Sequence, residues 1–262
     1  MRQGSKNAAG SLPDEHRAIS SGLVRARAEG RALPGPPSGL PDTLEAAYRL
    51  QDRSIAEWPD TVAGWKVGGV PAAYRERFDE RFLAGPIFAS SVRHARPGEP
   101  TQMPVFADGF AAIEPEFVIS LGASAATDRM FIGAEIASSP IPDINDYGPV
   151  AVISDFGNNN GLLLGSEIPE WRDRNEPFSV TCTIDGETVG TRVVDDFPAA
   201  ALESLAFLRR LAERRGYDLP EGTYVSTGAI TGVHEALPGA RGRCDFGTLG
   251  GFDLLLTPVP TT

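Results

Sequence analysis

The chain has 262 residues, of which 41% are hydrophobic and 23% are charged, and its formal net charge at pH 7 is −11. This length fits one large domain, or one domain with a smaller N-terminal part, and the apolar fraction is enough for a substantial core. The negative charge argues against nucleic acid or an anionic membrane surface as a partner. No apolar stretch has the length of a membrane span or the character of a signal peptide, so we expect a cytoplasmic protein.

The N-terminal part of the chain predicts helices. Residues 1–12 are polar, and we expect them to be mobile. A weakly amphipathic helix is predicted over residues 13–30, followed by a Pro/Gly linker over residues 33–41. Asp42 then stands in the N-cap position of a second helix, with Glu45 three residues later, as in a capping box.

From Gly64 onward, short apolar runs separated by glycine and proline indicate a β-rich mixed fold. These runs cover residues 64–70, 84–89, 113–121, 131–136, 161–165, 178–184, 223–230 and 251–257. One helix is predicted among them, capped by Asp196 and ended by Gly216. We therefore predict a helical N-terminal cap over residues 1–62 and a main domain over residues 63–262.

Lys66 is unusual because Lys6 and Lys66 are the only lysines, against 22 arginines. It lies in the glycine-flanked apolar segment Val62–Gly69. In so arginine-rich a chain, a lysine at this place indicates a need for a compact, titratable ammonium. The alternative is a surface lysine that extends along apolar neighbours at a strand end.

Glu114 and Glu116 lie two residues apart inside the apolar run Ile113–Leu121, and Glu135 follows in another apolar context. In a strand, side chains at i and i+2 point to the same face, so the first two anions would lie side by side. If they are buried they need a compensating partner, and a divalent cation is the simplest, because hard cations prefer oxygen ligands. The alternative is a solvated strand face, with Pro115 marking a sheet edge.

Two further segments are candidates for ligand binding. Val225–Gly232 combines hydroxyl groups with two glycines, which suits contact with a substrate carboxylate and equally suits a tight turn. Asp155–Gly161 is a polar loop whose three consecutive asparagines line a pocket or cap a turn. Cys182 and Cys244 are far apart in sequence and form no CxxC pattern, so we interpret them as reduced packing residues.

Taken in order, several motifs resemble the 2-oxo-acid hydratase/decarboxylase branch of the fumarylacetoacetate hydrolase superfamily. They are GWKVGG, GPIF, IEPEFVISLG, GAEIASS, a D-x-G loop ending in LLLG, VSTGAITG and CDFGTLGGFDLLL. The resemblance covers roughly residues 40–258.

The resemblance implies an α+β fold, a mixed β-roll with flanking helices and a helical N-terminal cap, in a homo-oligomer. It implies that Glu114, Glu116 and Glu135 bind Mg²⁺ or Mn²⁺ and that Lys66 is the catalytic pocket lysine. We expect the apolar surroundings and the cation to lower the pKa of Lys66 so that it can move a proton. The residues expected to contact the substrate are Ser226, Thr227 and Asn158.

The chain also departs from the family pattern. Leu83 stands near the position of a catalytic aspartate of the hydratases, and Asp79 or Glu80 could substitute for it. A serine common in the asparagine-rich loop is replaced by Asn158. The His-Glu pair of the hydrolase branch has no clear counterpart, which favours lyase over hydrolase activity.

The expected function is that of a metal-dependent lyase acting on a small 2-oxo acid or its dienol. A 2-keto-4-pentenoate (2-hydroxypenta-2,4-dienoate) hydratase of aromatic catabolism is the leading interpretation. The alternatives are a 2-oxo-acid decarboxylase, an acylpyruvate hydrolase, or a catalytically degenerate member that keeps only the metal or ligand site.

Overall fold

The computed structural model describes residues 12–261. The expected mobility of residues 1–12 therefore concerns a segment that, except for Leu12, lies outside the described residues. The helices are α1 (Asp14–Glu29), α2 (Leu44–Glu57), α3 (Ala72–Phe78), α4 (Gly148–Ser154) and α5 (Ala199–Arg215). Over residues 12–261, none of these helices combines the length and the apolar character that a membrane crossing requires.

The strands of the described chain form two sheets. Their bounds are β1 (Val62–Gly69), β2 (Phe82–Phe88), β3 (Val92–His94), β4 (Thr101–Val105), β5 (Phe110–Ser120), β6 (Arg129–Ser139), β7 (Asn159–Glu167), β8 (Phe178–Ile184), β9 (Glu187–Val194), β10 (Tyr224–Ser226), β11 (His234–Glu235), β12 (Arg241–Asp245) and β13 (Gly251–Pro258). The first sheet has the order β2-β1-β10-β5-β6-β7-β3, with β11 also paired to β5, and the second has the order β4-β13-β12-β8-β9. The β1/β10, β3/β7 and β4/β13 pairs are parallel and the others are antiparallel. The α+β class with a mixed, curled sheet is confirmed.

The first sheet curls so that β2 lies against β7. Ile87, Val118, Leu162 and Leu164, from three different strands, form a small apolar cluster inside this roll, separate from the main core. Ile113, Phe117 and Ile119 alternate with Val118 along β5 and belong to the main core outside the roll. The central strand β5 is therefore buried on both faces, and its even-numbered residues point into the roll.

Pro115 lies in this central strand, so the interpretation of Pro115 as a marker of a sheet edge is wrong. On this side β5 pairs first with β10, through Val118–Ser120, and then with β11, through Ala112 and Ile113. Pro115 falls in the gap between those two strands, where its carbonyl accepts a hydrogen bond from the backbone N–H of Ile230 (2.9 Å). Proline has no backbone N–H, and the sheet needs none at this position because neither β10 nor β11 pairs with Pro115.

Helix α2 covers the free edge of β2. The hydroxyl of Tyr48 accepts a hydrogen bond from the backbone N–H of Ala84 (2.9 Å), and the Gln51 amide donates to the Ala84 carbonyl (3.2 Å). Gln51 also donates to the carbonyl of Ile153 at the end of α4 (2.8 Å). These bonds satisfy an otherwise unpaired edge. They also tie the N-terminal helices to the roll, while the division of the chain at residue 62 stays a prediction.

Several local expectations are corrected. The cap of α2 is Thr43, whose side chain accepts from the N–H of Ala46, and not Asp42. Asp196 pairs with Arg192 instead of capping α5, which begins at Ala199. Helix α4 was not expected, because its sequence Gly-Pro-Val-Ala-Val-Ile-Ser is apolar on every face and all seven residues are buried. A helix without a polar face carries no amphipathic signal.

Cys182 and Cys244 are buried and free, as expected of packing residues. They lie directly opposite each other on β8 and β12, a proximity that their separation in sequence does not reveal.

Candidate active site

Three carboxylates meet inside the roll. Glu114 and Glu116 project from β5, and Glu135 lies directly opposite Glu114 on the antiparallel neighbour β6. One carboxylate oxygen of each lies within 4.8 Å of the others, and all three residues are buried. The short segment between Glu116 and Glu135 forms the β5–β6 hairpin, and the hairpin register brings the third carboxylate to the pair. The solvated strand face is excluded by this burial.

Lys66 joins the cluster from β1. Its Nζ atom lies 3.2 Å from Glu135 Oε2, and the residue is only 4% exposed. The alternative of a surface lysine is therefore wrong. The apolar side chain of Leu83 and the ammonium of Lys66 both lie against Gly68, because a methyl group placed on that glycine would be 3.6 Å from Leu83 Cδ1 and 3.2 Å from Lys66 Nζ. Leu83 thus lies near Lys66, where it offers no hydrogen bond.

The cluster carries more negative than positive charge. Burial raises the pKa of Glu114 to about 8, and repulsion by Glu135 adds to this effect. Burial, followed by repulsion from Glu135 and Glu114, raises the pKa of Glu116 well above its usual range. One buried ammonium does not balance three buried carboxylates.

The expected lowering of the pKa of Lys66 refers to a site with a bound cation and stays a prediction; without the cation this pKa is raised. Burial alone lowers this pKa, but the charges of Glu135, Glu114 and Glu116 and a hydrogen bond to Glu135 outweigh burial, so the pKa is raised. The reason is the number of anions around the ammonium.

Backbone and hydroxyl groups hold one oxygen of Glu116. Ser226 Oγ and the backbone N–H of Gly228 (2.9 Å) both donate to Glu116 Oε2, whereas Oε1 is buried without a hydrogen-bond partner. The hydroxyl of Thr227 donates to the carbonyl of Phe117 (2.9 Å) and so fixes the loop to β5. Both hydroxyl groups are thus engaged within the protein, and their expected contact with substrate stays a prediction.

An unusual turn lies beside Glu135 and Lys66. Phe156, Gly157 and Asn158 have φ values of 56°, 68° and 55°, so three successive residues adopt the left-handed conformation. This conformation costs L-residues roughly 1–2 kcal/mol each. Immediately after the turn, the Asn159 amide donates to Glu135 Oε1 (3.0 Å).

The turn fits closely against β1 and β2. A methyl group on Gly157 would lie 3.3 Å from Lys66 Cδ, and one on Gly85 would lie only 2.1 Å from the carbonyl oxygen of Phe156. Asn158 is buried, and its amide donates over 3.4 Å to Asn145, while its Oδ1 atom has no partner. Its assignment to the substrate remains a prediction, supported by this free, buried acceptor.

Two residues expected to compensate for Leu83 are not part of the cluster. Asp79 is exposed at the end of α3, and Glu80 forms an ion pair with Arg214 (4.0 Å). His234 also lies outside the carboxylate cluster. It pairs with Ile113, so its side chain points to the face of the sheet opposite Glu114.

Sequence inspection missed the contribution of Arg27 and Asp155, which form a buried ion pair beside the turn. The sequence of α1 does contain an indication of this ion pair. Arg27 follows Ile19, Leu23 and Ala26 on the buried stripe of the helix, and an arginine on such a stripe requires a buried partner.

No family model matches the chain, and no curated protein matches it. Solved structures do match its fold. The 4-oxalocrotonate decarboxylase from Pseudomonas putida G7, complexed with magnesium and adipate, has a TM-score of 0.76 at 18% identity, covering 94% of this chain and 99% of that chain. The same enzyme complexed with calcium and acetate has a TM-score of 0.73. Fumarylpyruvate hydrolase from Pseudomonas aeruginosa, in complex with Mn²⁺ and pyruvate, has a TM-score of 0.55 at 17% identity, covering 74% of this chain and 89% of that chain. The expected resemblance is thus confirmed at the level of the fold.

Proposed function

We propose that this chain is a divalent-metal-dependent lyase of the fumarylacetoacetate hydrolase superfamily, acting on a small 2-oxo acid or its dienol. The observation that carries the proposal is the convergence of Glu114, Glu116 and Glu135, buried and short of positive charge, beside Lys66. The fold match to two metal-complexed enzymes supports it.

The donor set fits a hard cation. Glu114, Glu116 and Glu135 would hold Mg²⁺ or Mn²⁺, because carboxylate oxygens are the ligands such ions prefer. Glu116 Oε1 is a buried carboxylate oxygen without a hydrogen-bond partner, which is costly unless a cation is bound. When bound, the cation would supply positive charge near the carboxylate and 2-oxo oxygens of the substrate. This charge would stabilise the negative charge that develops on the 2-oxo oxygen when an enolate forms.

Lys66 is the residue that can move a proton. Its ammonium is held by Glu135 at 3.2 Å and lies beside the carboxylates, so it can donate a proton to C3 of the enolate of a 2-oxo acid, and the neutral amine can take a proton back from C3 of the oxo form. Ser226 and Gly228 hold Glu116 in place, and Asn159 does the same for Glu135. Asn158 offers a free carbonyl oxygen that can accept a hydrogen bond from water or substrate.

A lyase is preferred to a hydrolase because His234, which bonds to Thr231 (2.8 Å), faces away from Glu114. Hydration of the dienol of a 2-oxopentenoate is the leading reaction. Decarboxylation is the second candidate, supported by the decarboxylase fold match, which extends over 94% of this chain against 74% for the hydrolase. Leu83 in place of an acid near Lys66 also suits a reaction in which no water must be activated there. Assembly as a homo-oligomer stays a prediction.

The test is calorimetric titration with oxalate, a mimic of the enolate of a 2-oxo acid, with and without Mn²⁺. The wild-type chain is compared with Glu116→Gln and with Glu167→Gln, a control at a surface glutamate paired with Arg129. We expect Mn²⁺-dependent oxalate binding in the wild type and the control, and its loss in Glu116→Gln.

A panel of 2-hydroxypentadienoate, a 2-oxohexenedioate and acylpyruvates then separates hydratase, decarboxylase and hydrolase activity. Oxalate binding that does not depend on Mn²⁺ and is unchanged in Glu116→Gln would refute the proposed site. Metal-dependent binding without turnover on any member of the panel would instead identify a degenerate binding protein.

A further inference from the structure

Arg27, on helix α1, is buried and clamps Asp155. Its Nε and Nη2 atoms donate to Asp155 Oδ1 and Oδ2, both at 2.7 Å, in a bidentate ion pair. Ser139 Oγ donates to Asp155 Oδ2 at 2.6 Å. The side chains of Arg27 and Asp155 are 5% and 0% exposed, so solvent does not screen the pair. Bidentate guanidinium–carboxylate pairs fix orientation as well as distance.

The same guanidinium contacts both ends of the left-handed turn. Nη2 donates to the carbonyls of Asp155 (3.2 Å) and Ser138 (3.1 Å), and Nη1 donates to the carbonyl of Asn159 (3.1 Å) and to Asn160 Oδ1 (3.1 Å). One side chain thus joins the residue before the turn to the residues after it and to the end of β6.

Aromatic contacts complete this arrangement. The guanidinium carbon of Arg27 lies 5.2 Å from the ring centre of Phe156 and 5.7 Å from that of Phe106. Phe156 and Asn158 are the two non-glycine residues of this turn that have the left-handed conformation. Residues in that conformation persist only where the surroundings impose it. Arg27 supplies several such contacts from outside the turn.

The turn positions groups that the proposed site uses. Asn159 leaves the turn and donates to Glu135, and Gly157 packs against the stem of Lys66. A change in the path of residues 156–158 would therefore move a partner of a carboxylate and the packing of the ammonium together.

We infer that Arg27 is a positioning residue for the carboxylate site: the N-terminal helix sets the geometry of Glu135 and Lys66 through the Arg27–Asp155 clamp on the left-handed turn. This inference rests on the proposed function in taking the site as one for a divalent cation. It assigns to α1 a part in metal binding, although α1 contributes no group to the carboxylate cluster.

The test measures Mn²⁺ affinity of the full chain by electron paramagnetic resonance of free Mn²⁺. Loss of an outer-shell partner lowers metal affinity by about 10–100-fold; Asn159 is such a partner of Glu135, so we expect a loss of this order when Arg27→Ala releases the turn. Arg27→Lys keeps the charge but cannot form the bidentate contact together with the carbonyl bonds, so we expect an intermediate loss. It also serves as the second variant if Arg27→Ala does not fold.

Arg215→Ala is the matched control. Arg215 is also largely buried, with 7% side-chain exposure, and also pairs with carboxylates, but its hydrogen bonds go to Asp52, Glu45 and Tyr217 and not to residues 155–160. We expect it to lower stability while changing the Mn²⁺ affinity by less than about threefold, since it lies outside the metal's outer shell.

Hydrogen exchange of the backbone amides of residues 155–161 provides a second readout that needs no metal. We expect exchange at least about tenfold faster in the Arg27 variants and unchanged in Arg215→Ala, because only the former release the turn. Folded Arg27 variants with wild-type Mn²⁺ affinity and wild-type exchange would overturn the inference.

The two proposals fail in different ways. If the wild type binds no Mn²⁺, the proposed metal site fails and the role of Arg27 in metal binding fails with it, while the exchange data still decide whether Arg27 holds the turn. If the wild type binds Mn²⁺ and Arg27→Ala and Arg215→Ala lose affinity equally, the loss is one of general stability and only the positioning role is refuted.

Discussion

At the scale of single residues, the candidate site has the mark of a functional site, since its charges are poorly balanced for folding. Glu114, Glu116 and Glu135 are buried with Lys66 as their one close cation among the described residues. A cluster selected only for stability would replace part of this charge with apolar groups. A bound cation would offset the unfavourable free energy of burying these like charges together.

Glu116→Gln should therefore stabilise the metal-free protein while abolishing its metal binding. Removal of one buried anion relieves repulsion, and Ser226 and Gly228 can still donate to the amide oxygen. We expect the free energy of unfolding to rise by about 0.5–2 kcal/mol, measured by urea denaturation in EDTA at pH 8. A destabilised, metal-free Glu116→Gln would indicate that the carboxylate has a structural role.

Lys66→Met should separate catalysis from ligand binding. The substitution keeps an unbranched side chain against Gly157 and removes the proton that we assign to the reaction. We expect kcat to fall by about 10²–10⁴-fold, the usual contribution of general acid–base catalysis, with Mn²⁺-dependent oxalate binding retained. Steady-state kinetics on the substrate identified by the panel checks this. Unchanged kcat would exclude Lys66 as the proton carrier.

At the scale of the elements, the β5–β6 hairpin builds the carboxylate cluster, and residues 157–159 lie against Lys66 and Glu135. This arrangement depends on a close approach between the backbone of β2 and the backbone of residues 156–157. Gly85 on β2 lies against the carbonyl of Phe156, where no larger residue fits, and Tyr48 and Gln51 of α2 hold the neighbouring Ala84 in place.

Gly85→Ala should disturb the turn and with it the site. A methyl group would lie 2.1 Å from the Phe156 oxygen, so either β2 or the turn must shift. We expect a loss of about 1–3 kcal/mol in the free energy of unfolding, as for other overpacked positions, and weaker Mn²⁺ binding. Gly69→Ala, at the end of β1, where no atom lies within 4 Å of the added carbon, is the control. Equal effects of the two substitutions would refute the close contact.

At the scale of the whole molecule, the buried carboxylates couple the stability of the fold to pH. The pKa of Glu114 rises from 4.5 to about 8 on folding, so the native state binds more protons than the unfolded state between these values. Stability is then greatest at the acidic end of this window and is lost as the pH rises through it. Lys66 contributes nothing here, because its pKa is raised from 10.5, which lies above the window.

The metal-free protein should therefore lose stability between pH 5 and pH 8, by an amount on the order of a few kcal/mol. Mg²⁺ or Mn²⁺ should reverse the loss at pH 8, adding about 2.7 kcal/mol when present at 100 times its Kd. Thermal unfolding in EDTA and in metal, across this pH range, checks both statements. Glu116→Gln should show no stabilisation by metal, and equal stabilisation in that variant would contradict the assigned site.

What the sequence by itself determined was the chemistry available in each element. The alternation of Glu114 and Glu116 within an apolar run indicated one carboxylate face, and the rarity of lysine identified Lys66, because these are local patterns of period and composition. Seven of the eight expected strands were confirmed for the same reason, whereas the run over residues 223–230 forms a strand only at Tyr224–Ser226.

Only the tertiary structure decided how these groups act on one another. The hairpin register places Glu135 against Glu114, and the three nearby anions raise the pKa of Lys66 in the metal-free protein although its surroundings are apolar. The clamp of Arg27 on Asp155 joins residues far apart in the chain and lies directly before the left-handed turn at residues 156–158. Electrostatic sums and long-range clamps depend on distances in space, and a linear pattern of residues does not contain those distances.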